Sequence, residues 1–261
     1  MRMARAMVAM LAAGAIPAAA ADRWELRGDD GAWTNNVLQA GVVQEGHDLE
    51  PKPDRTPDSD WYKILTQAER SYEVRVFGGG VVWKYPACPT CASFERVAGS
   101  DGSVISVGDD DQTGGPPGLS IRWIGGSGLE FVRATPYTDG PGYLDEKYDI
   151  LLYDTTLYLP RFNNTGSQRT VLILQNTRER TVEGQIFFHD SAGVRVLAHD
   201  FSVPRYGSLV LDTGTLPALA GQSGSAVIAH TGGQGAFTGK GVSLEPSTGF
   251  TFDTTITTAP R

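Results

Sequence analysis

Apolar and polar positions alternate with period two through much of the chain, and short turn clusters interrupt the pattern. Tyr72, Val74 and Val76 alternate with Glu73 and Arg75. That pattern predicts a strand with one face buried and one face wet. The run Thr170–Leu174 (TVLIL) is apolar without alternation, as in a strand buried on both sides. Similar strand-like runs occur at 61–65, 81–85, 103–107, 119–124, 129–134 and 148–153. A second set covers 169–175, 182–188, 194–198, 208–211, 225–230, 239–244 and 249–252. Turn residues such as GGG, DGS, GGPPG, GGSG, DSAG and RYG separate them. Asp190-Ser-Ala-Gly193 reads as a hairpin turn, with Gly193 supplying a positive φ. The most helix-like stretch, Leu65–Arg70, is shorter than two turns.

Regularly spaced short strands predict an all-β chain of two abutting β-sandwiches. The seam falls near 154–164, where Leu159-Pro160-Arg161 enters the polar turn Asn163-Asn164-Thr165-Gly166. The expected division is a signal peptide at 1–21, a first sandwich at 22–153 and a second at 154–261. The 32 glycines and 15 prolines among 261 residues agree with a chain rich in turns.

The first twenty-one residues read as an address. Arg2 and Arg5 precede an apolar stretch, 6–16, and Ala19-Ala20-Ala21 supplies small residues for cleavage. The apolar stretch is too short to cross a hydrocarbon core of about 30 Å as a helix. The reading is therefore a cleaved signal peptide and an exported chain, periplasmic, secreted or at the cell surface, with no membrane span once mature. Losing Arg2 and Arg5 leaves 20 basic against 30 acidic side chains, so the net charge moves from -8 to -10. That balance argues against a nucleic-acid partner, which needs concentrated Lys and Arg.

Candidate chemistry is sparse. Cys88-Pro-Thr-Cys91 lacks the βαβ context of a redox pair and the further ligands of a zinc site. An oxidising compartment favours a local disulfide between them, with redox and metal roles as alternatives. Asp58 and Asp60, and the run Asp109-Asp110-Asp111 in a Gly-rich turn, are candidate oxygen ligands for Ca²⁺. The competing reading is turn capping at the first pair and a solvated loop at the second. Ca²⁺ is the only candidate cofactor. Trp83, Tyr85, Tyr137 and Tyr143 lie in or beside Gly/Pro-rich segments and are candidate binding residues, since exposed rings stack on sugars and prolines. His189-Asp190 and His199-Asp200 invite a catalytic reading. The hairpin register weakens it, placing His189 near Val194 and His199 near Gly184. No G-x-S-x-G, H-E-x-x-H or P-loop motif is present.

The stretch 33–76 resembles the bacterial pre-peptidase C-terminal domain family. The residues that carry the resemblance are Asn35-Asn36, Ala40, Asp58-Ser-Asp60-Trp61-Tyr62-Lys63-Ile64 and Arg70-Ser-Tyr-Glu-Val-Arg-Val76. The resemblance implies an exported, jelly-roll-like accessory module; some relatives bind collagen or Ca²⁺. Ala68-Glu69-Arg70 stands where that family places a glycine, and the insert 83–97 departs from its pattern. The second half, 159–255, resembles Ig-like modules of exported bacterial proteins. Together these features predict an exported, non-enzymatic binding, adhesion or envelope-associated protein that uses its sandwich-end loops, with an extracellular protein or polysaccharide as partner. The alternatives are an accessory module of a secreted hydrolase system and a hydrolase with its site between the halves.

Overall fold

The computed structural model describes residue 24 and residues 30–49, 58–78, 92–110, 118–136 and 147–258. The fold is all-β, with four antiparallel sheets among the described residues, arranged as β-sandwiches.

The first half carries β1 (Val43–His47), β2 (Asp60–Thr66), β3 (Ser71–Phe77), β4 (Ala92–Val97), β5 (Val104–Val107), β6 (Asp109–Asp110), β7 (Gly118–Ile124), β8 (Gly128–Pro136) and β9 (Tyr148–Asp154). One sheet has the order β1-β9-β3-β7-β6 and the other β2-β8-β4-β5. Alternate residues of both point into one core, among them Tyr62, Ile64, Val74, Phe94, Ile121, Val132 and Ile150. The alternation in β3 therefore does what its sequence predicts on the inner side.

The second half carries β10 (Leu157–Asn163), β11 (Arg169–Asn176), β12 (Val182–Asp190), β13 (Arg195–Val203), β14 (Ser208–Asp212), β15 (Ser223–His230), β16 (Phe237–Glu245), β17 (Phe250–Thr255) and β18 (Thr257–Thr258). Its sheets run β13-β12-β15-β10-β18 and β14-β11-β16-β17. They enclose a separate core that includes Leu159, Phe162, Leu174, Ile186 and Phe188.

The structure departs from the sequence reading in five places. Leu65 and Thr66 end β2, and residues 67–70 make a tight turn into β3 in which Glu69 takes φ 65. Leu157–Asn163, inside the expected seam and not among the expected strand runs, is a strand; only Thr155 and Thr156 separate it from β9. Asp109 and Asp110 form a short strand against β7 rather than a turn. The hairpin after Asp190 forms with Gly193 at φ 79, but an irregularity between Phe188 and His189 shifts its register. His189 lies opposite Arg195 and His199 opposite Ile186 as a result. Finally, TVLIL is buried on one side only: Thr170, Leu172 and Leu174 face the core, while Val171 and Ile173 are half-exposed.

Candidate functional site

The two ends of the first sandwich differ. At the end toward the second half, strands are joined by the short connections 67–70, 98–103, 125–127 and 155–156. At the other end, the strand termini at His47, Asp60, Phe77, Ala92, Asp110, Gly118, Pro136 and Tyr148 open onto longer connections. The pairings His47↔Tyr148, Ala92↔Pro136 and Phe77↔Gly118 place these termini together. Long connections on a rigid sheet scaffold are where binding residues concentrate. Trp83, Tyr85, Cys88, Cys91, Asp111, Tyr137 and Tyr143 all belong to these connections in sequence and lie outside the described residues.

Beneath these termini lies a buried polar and aromatic cluster. Tyr148, the first residue of β9, donates its hydroxyl to the Asp60 carboxylate. Its oxygen is 2.7 Å from the Tyr62 hydroxyl. The His47 ring stacks on Trp24 at 4.7 Å and on Tyr148 at 5.3 Å between centroids, and meets the edge of Tyr62 at 5.1 Å. Trp24 Nε1 donates to the Glu45 carbonyl at 3.0 Å, and Lys147 pairs with Asp48 at 2.8 Å. Burial and the nearby Asp60 charge push the Tyr148 phenol well above its ordinary pKa, so it stays a donor.

The local sequence explains the placement. Asp60 and Tyr62 are two apart on β2, so both point inward, with Trp61 turned to the outer face under the Arg133 guanidinium, 5.4 Å from its ring. His47 ends β1 directly opposite Tyr148. Asp58 is also buried here. The cluster contains acid and base groups, yet His47, Asp58, Asp60, Tyr62 and Tyr148 are each at most 1% exposed. A general acid or base must touch the proton it moves. None of these groups meets solvent directly.

Asp60 belongs to this cluster, Asp58 is buried two residues before it, and Asp109 lies elsewhere. Its carboxylate accepts from Arg122 Nη1 and from Arg180 Nη1, each at 2.8 Å. Arg180 comes from the second half, so Asp109 helps join the two halves. Asp110 pairs with Leu119 in the same short strand.

The joint is polar and extensive. Glu73 is fully buried, against the expectation of a wet outer face, because the turn before β16 covers it. Glu73 Oε2 accepts from the Gln234 amide at 2.8 Å, and Oε1 accepts from Arg122 at 2.8 Å and lies 3.1 Å from Arg75 Nε. Gly233 makes this approach possible. Its φ is 78, and an added Cβ would fall 2.6 Å from Arg122 Nε. Glu69 pairs with His189 at 2.9 Å and Arg195 at 3.0 Å. His230 is buried at the joint, accepts from the Gly232 amide at 3.2 Å and bonds the Thr155 backbone. Burial pulls its pKa down to about 4, so the ring is neutral.

An open cleft of about 670 Å³ lies beside this joint. Ile124 of the first half and Glu183, Gln185, Asp200, Ser202 and Thr231 of the second line it. Gln185 donates to Asp200 at 2.6 Å. Neither His189 nor His199 lines the cleft, so the catalytic reading of those histidines gains no geometry from it.

No family model and no curated protein matches the chain. Solved structures are similar only in part. One is a chain of Eubacterium rectale provisionally named a secreted protein, at 9% identity and TM-score 0.28, covering 83% of this chain and 72% of that one. Another is a Bacteroides fragilis chain provisionally named a β-galactosidase, at 11% identity and TM-score 0.20, covering 85% of this chain and 33% of that one. Among the described residues no helix is long and apolar enough to cross a membrane.

Proposed function

We propose that the chain is an exported, non-catalytic binding protein. It holds an extracellular protein or polysaccharide polymer with the loop-bearing end of its first half. The observation that carries this reading is the gathering of eight strand termini at one end, locked from beneath by the His47–Asp60–Tyr62–Tyr148 cluster. The opposite end is taken up by the second half, through Glu69 and Glu73. The N-terminal address supports export, and the Trp and Tyr residues of the loop segments supply rings suited to sugars and prolines. Ca²⁺ has no assigned part in this reading, since Asp60 and Asp109 already accept from Tyr148 and from two arginines.

The test is retention of the exported chain on immobilised collagen, chitin and cellulose. Retention on at least one is expected, falling at least tenfold in the Trp83→Ala/Tyr85→Ala variant. Release by every polymer, or turnover of ester, peptide or glycoside substrates, would overturn the proposal.

A further inference from the structure

The sheet β14-β11-β16-β17 covers the second core with one face, and among the described residues nothing covers the other. The bare face is unusually apolar. Val171 lies opposite Val242, Ile173 opposite Val210, and Leu244 flanks them on β16. Val210 is 66% exposed. An antiparallel sheet with one solvated face normally alternates apolar inward and polar outward. Here Val171, Ile173, Val210, Val242 and Leu244 form one apolar stripe across three adjacent strands, flanked by Arg169, Gln175, Asp212 and Lys240, and this is where TVLIL asks for burial on both sides and finds it on one. The second half's other sheet shows the contrast. Its outward Phe187 is only 5% exposed, and the first half reaches that sheet through His189 and Arg195.

Charge says what covers the bare face. Its charged side chains form two ion pairs at opposite flanks: Arg169 with Asp212 at 3.3 Å, and Lys240 with Asp253 at 2.6 Å. The face is therefore neutral in a chain of net charge -8. The net charge makes two copies repel, whereas this face presents both signs around an apolar centre. In a two-fold dimer the same patch meets itself, so a neutral patch with both signs at its rim is self-complementary.

We propose that this face is a self-association surface, on which a second copy of the chain supplies the cover that Val171, Ile173, Val210, Val242 and Leu244 lack. The proposal is independent of what the first half binds. The joint and loop-bearing end stay open in such a dimer, which would present two binding ends on one particle and raise avidity for a repeating polymer.

Sedimentation velocity of the exported chain, from about 5 to about 200 µM, tests this at protein-interface affinities. A concentration-dependent dimer is expected. Val210→Asp, at an exposed site, is expected to weaken it at least tenfold with unchanged circular dichroism. Lys240→Glu, which makes the face acidic without touching its apolar centre, is expected to weaken it too, and serves if Val210→Asp folds poorly. A chain that stays monomeric throughout overturns the proposal, whatever other protein the face captures. A dimer that both substitutions leave intact overturns it as well.

Discussion

The two halves bury polar groups in different ways. In the first half, His47, Asp48, Asp58, Asp60 and Glu73 are all buried ionisable residues. In the second, among the described residues, the buried polar positions are amides and hydroxyls, with His230 the one ionisable exception. The second half's network has a local purpose. Asn164 Oδ1 accepts from the Thr170 amide at 3.2 Å and Thr213 Oγ1 at 2.9 Å, and Asn176 Nδ2 donates to three backbone carbonyls at 2.7–3.1 Å. These side chains satisfy backbone that turns would otherwise strand. The first half's cluster reaches between strands. It joins residues about a hundred positions apart beneath the loop-bearing strand ends. Buried ionisable groups cost more to keep than amides do. Their concentration in the first half is what the proposed division, recognition there and scaffolding in the second half, rests on.

The strongest way to break this division is at the joint. Glu73→Ala leaves Arg122, 4% exposed, without its buried carboxylate. A loss of about 3–5 kcal/mol is expected, read by denaturant unfolding. A loss under about 1 kcal/mol would mean that the halves stand without the latch.

Acid probes the exception, His230. Its folded pKa is about 4 against an ordinary 6.5, so between those values the unfolded chain binds the proton and the folded chain does not. Its contribution is flat above pH 6.5 and falls as pH drops toward 4, by about 3 kcal/mol in all. His230→Gln is expected to remove that part of the slope in unfolding measured from pH 7 to 4. An unchanged slope would show that the ring is not held neutral.

A smaller effect separates the two networks. Tyr148→Phe deletes the hydroxyl that bridges Asp60 and Tyr62 and is expected to cost about 2 kcal/mol. It should also weaken polymer retention, because the strand ends lose their internal tie. Asn164→Ala is expected to cost about 1–2 kcal/mol and leave retention unchanged. Equal effects on retention would erase the distinction between the halves.

Much of this architecture was legible in the chain. Period-two patterning located β3, and Asn163-Asn164-Thr165-Gly166 marked a turn. Ala92–Val97 escaped because Glu95 and Arg96 interrupt its apolar pattern, although each pairs with a β8 residue. The buried cluster escaped for another reason. Asp60 and Tyr62 are visible as inward neighbours on one strand, but nothing local joins them to Tyr148 or His47. Only the long-range pairing of β1 with β9 does that. Glu73 read as solvent-facing because its cover arrives from Gln234, 161 residues later.

The most direct test is hydrogen exchange of the exported chain with and without a polymer that retains it. Slowed exchange is expected at the strand ends around 43–47, 60–62, 92–94 and 148–150, with β12 and β13 unchanged. Protection confined to the second half would contradict the assignment of binding to the loop-bearing end of the first.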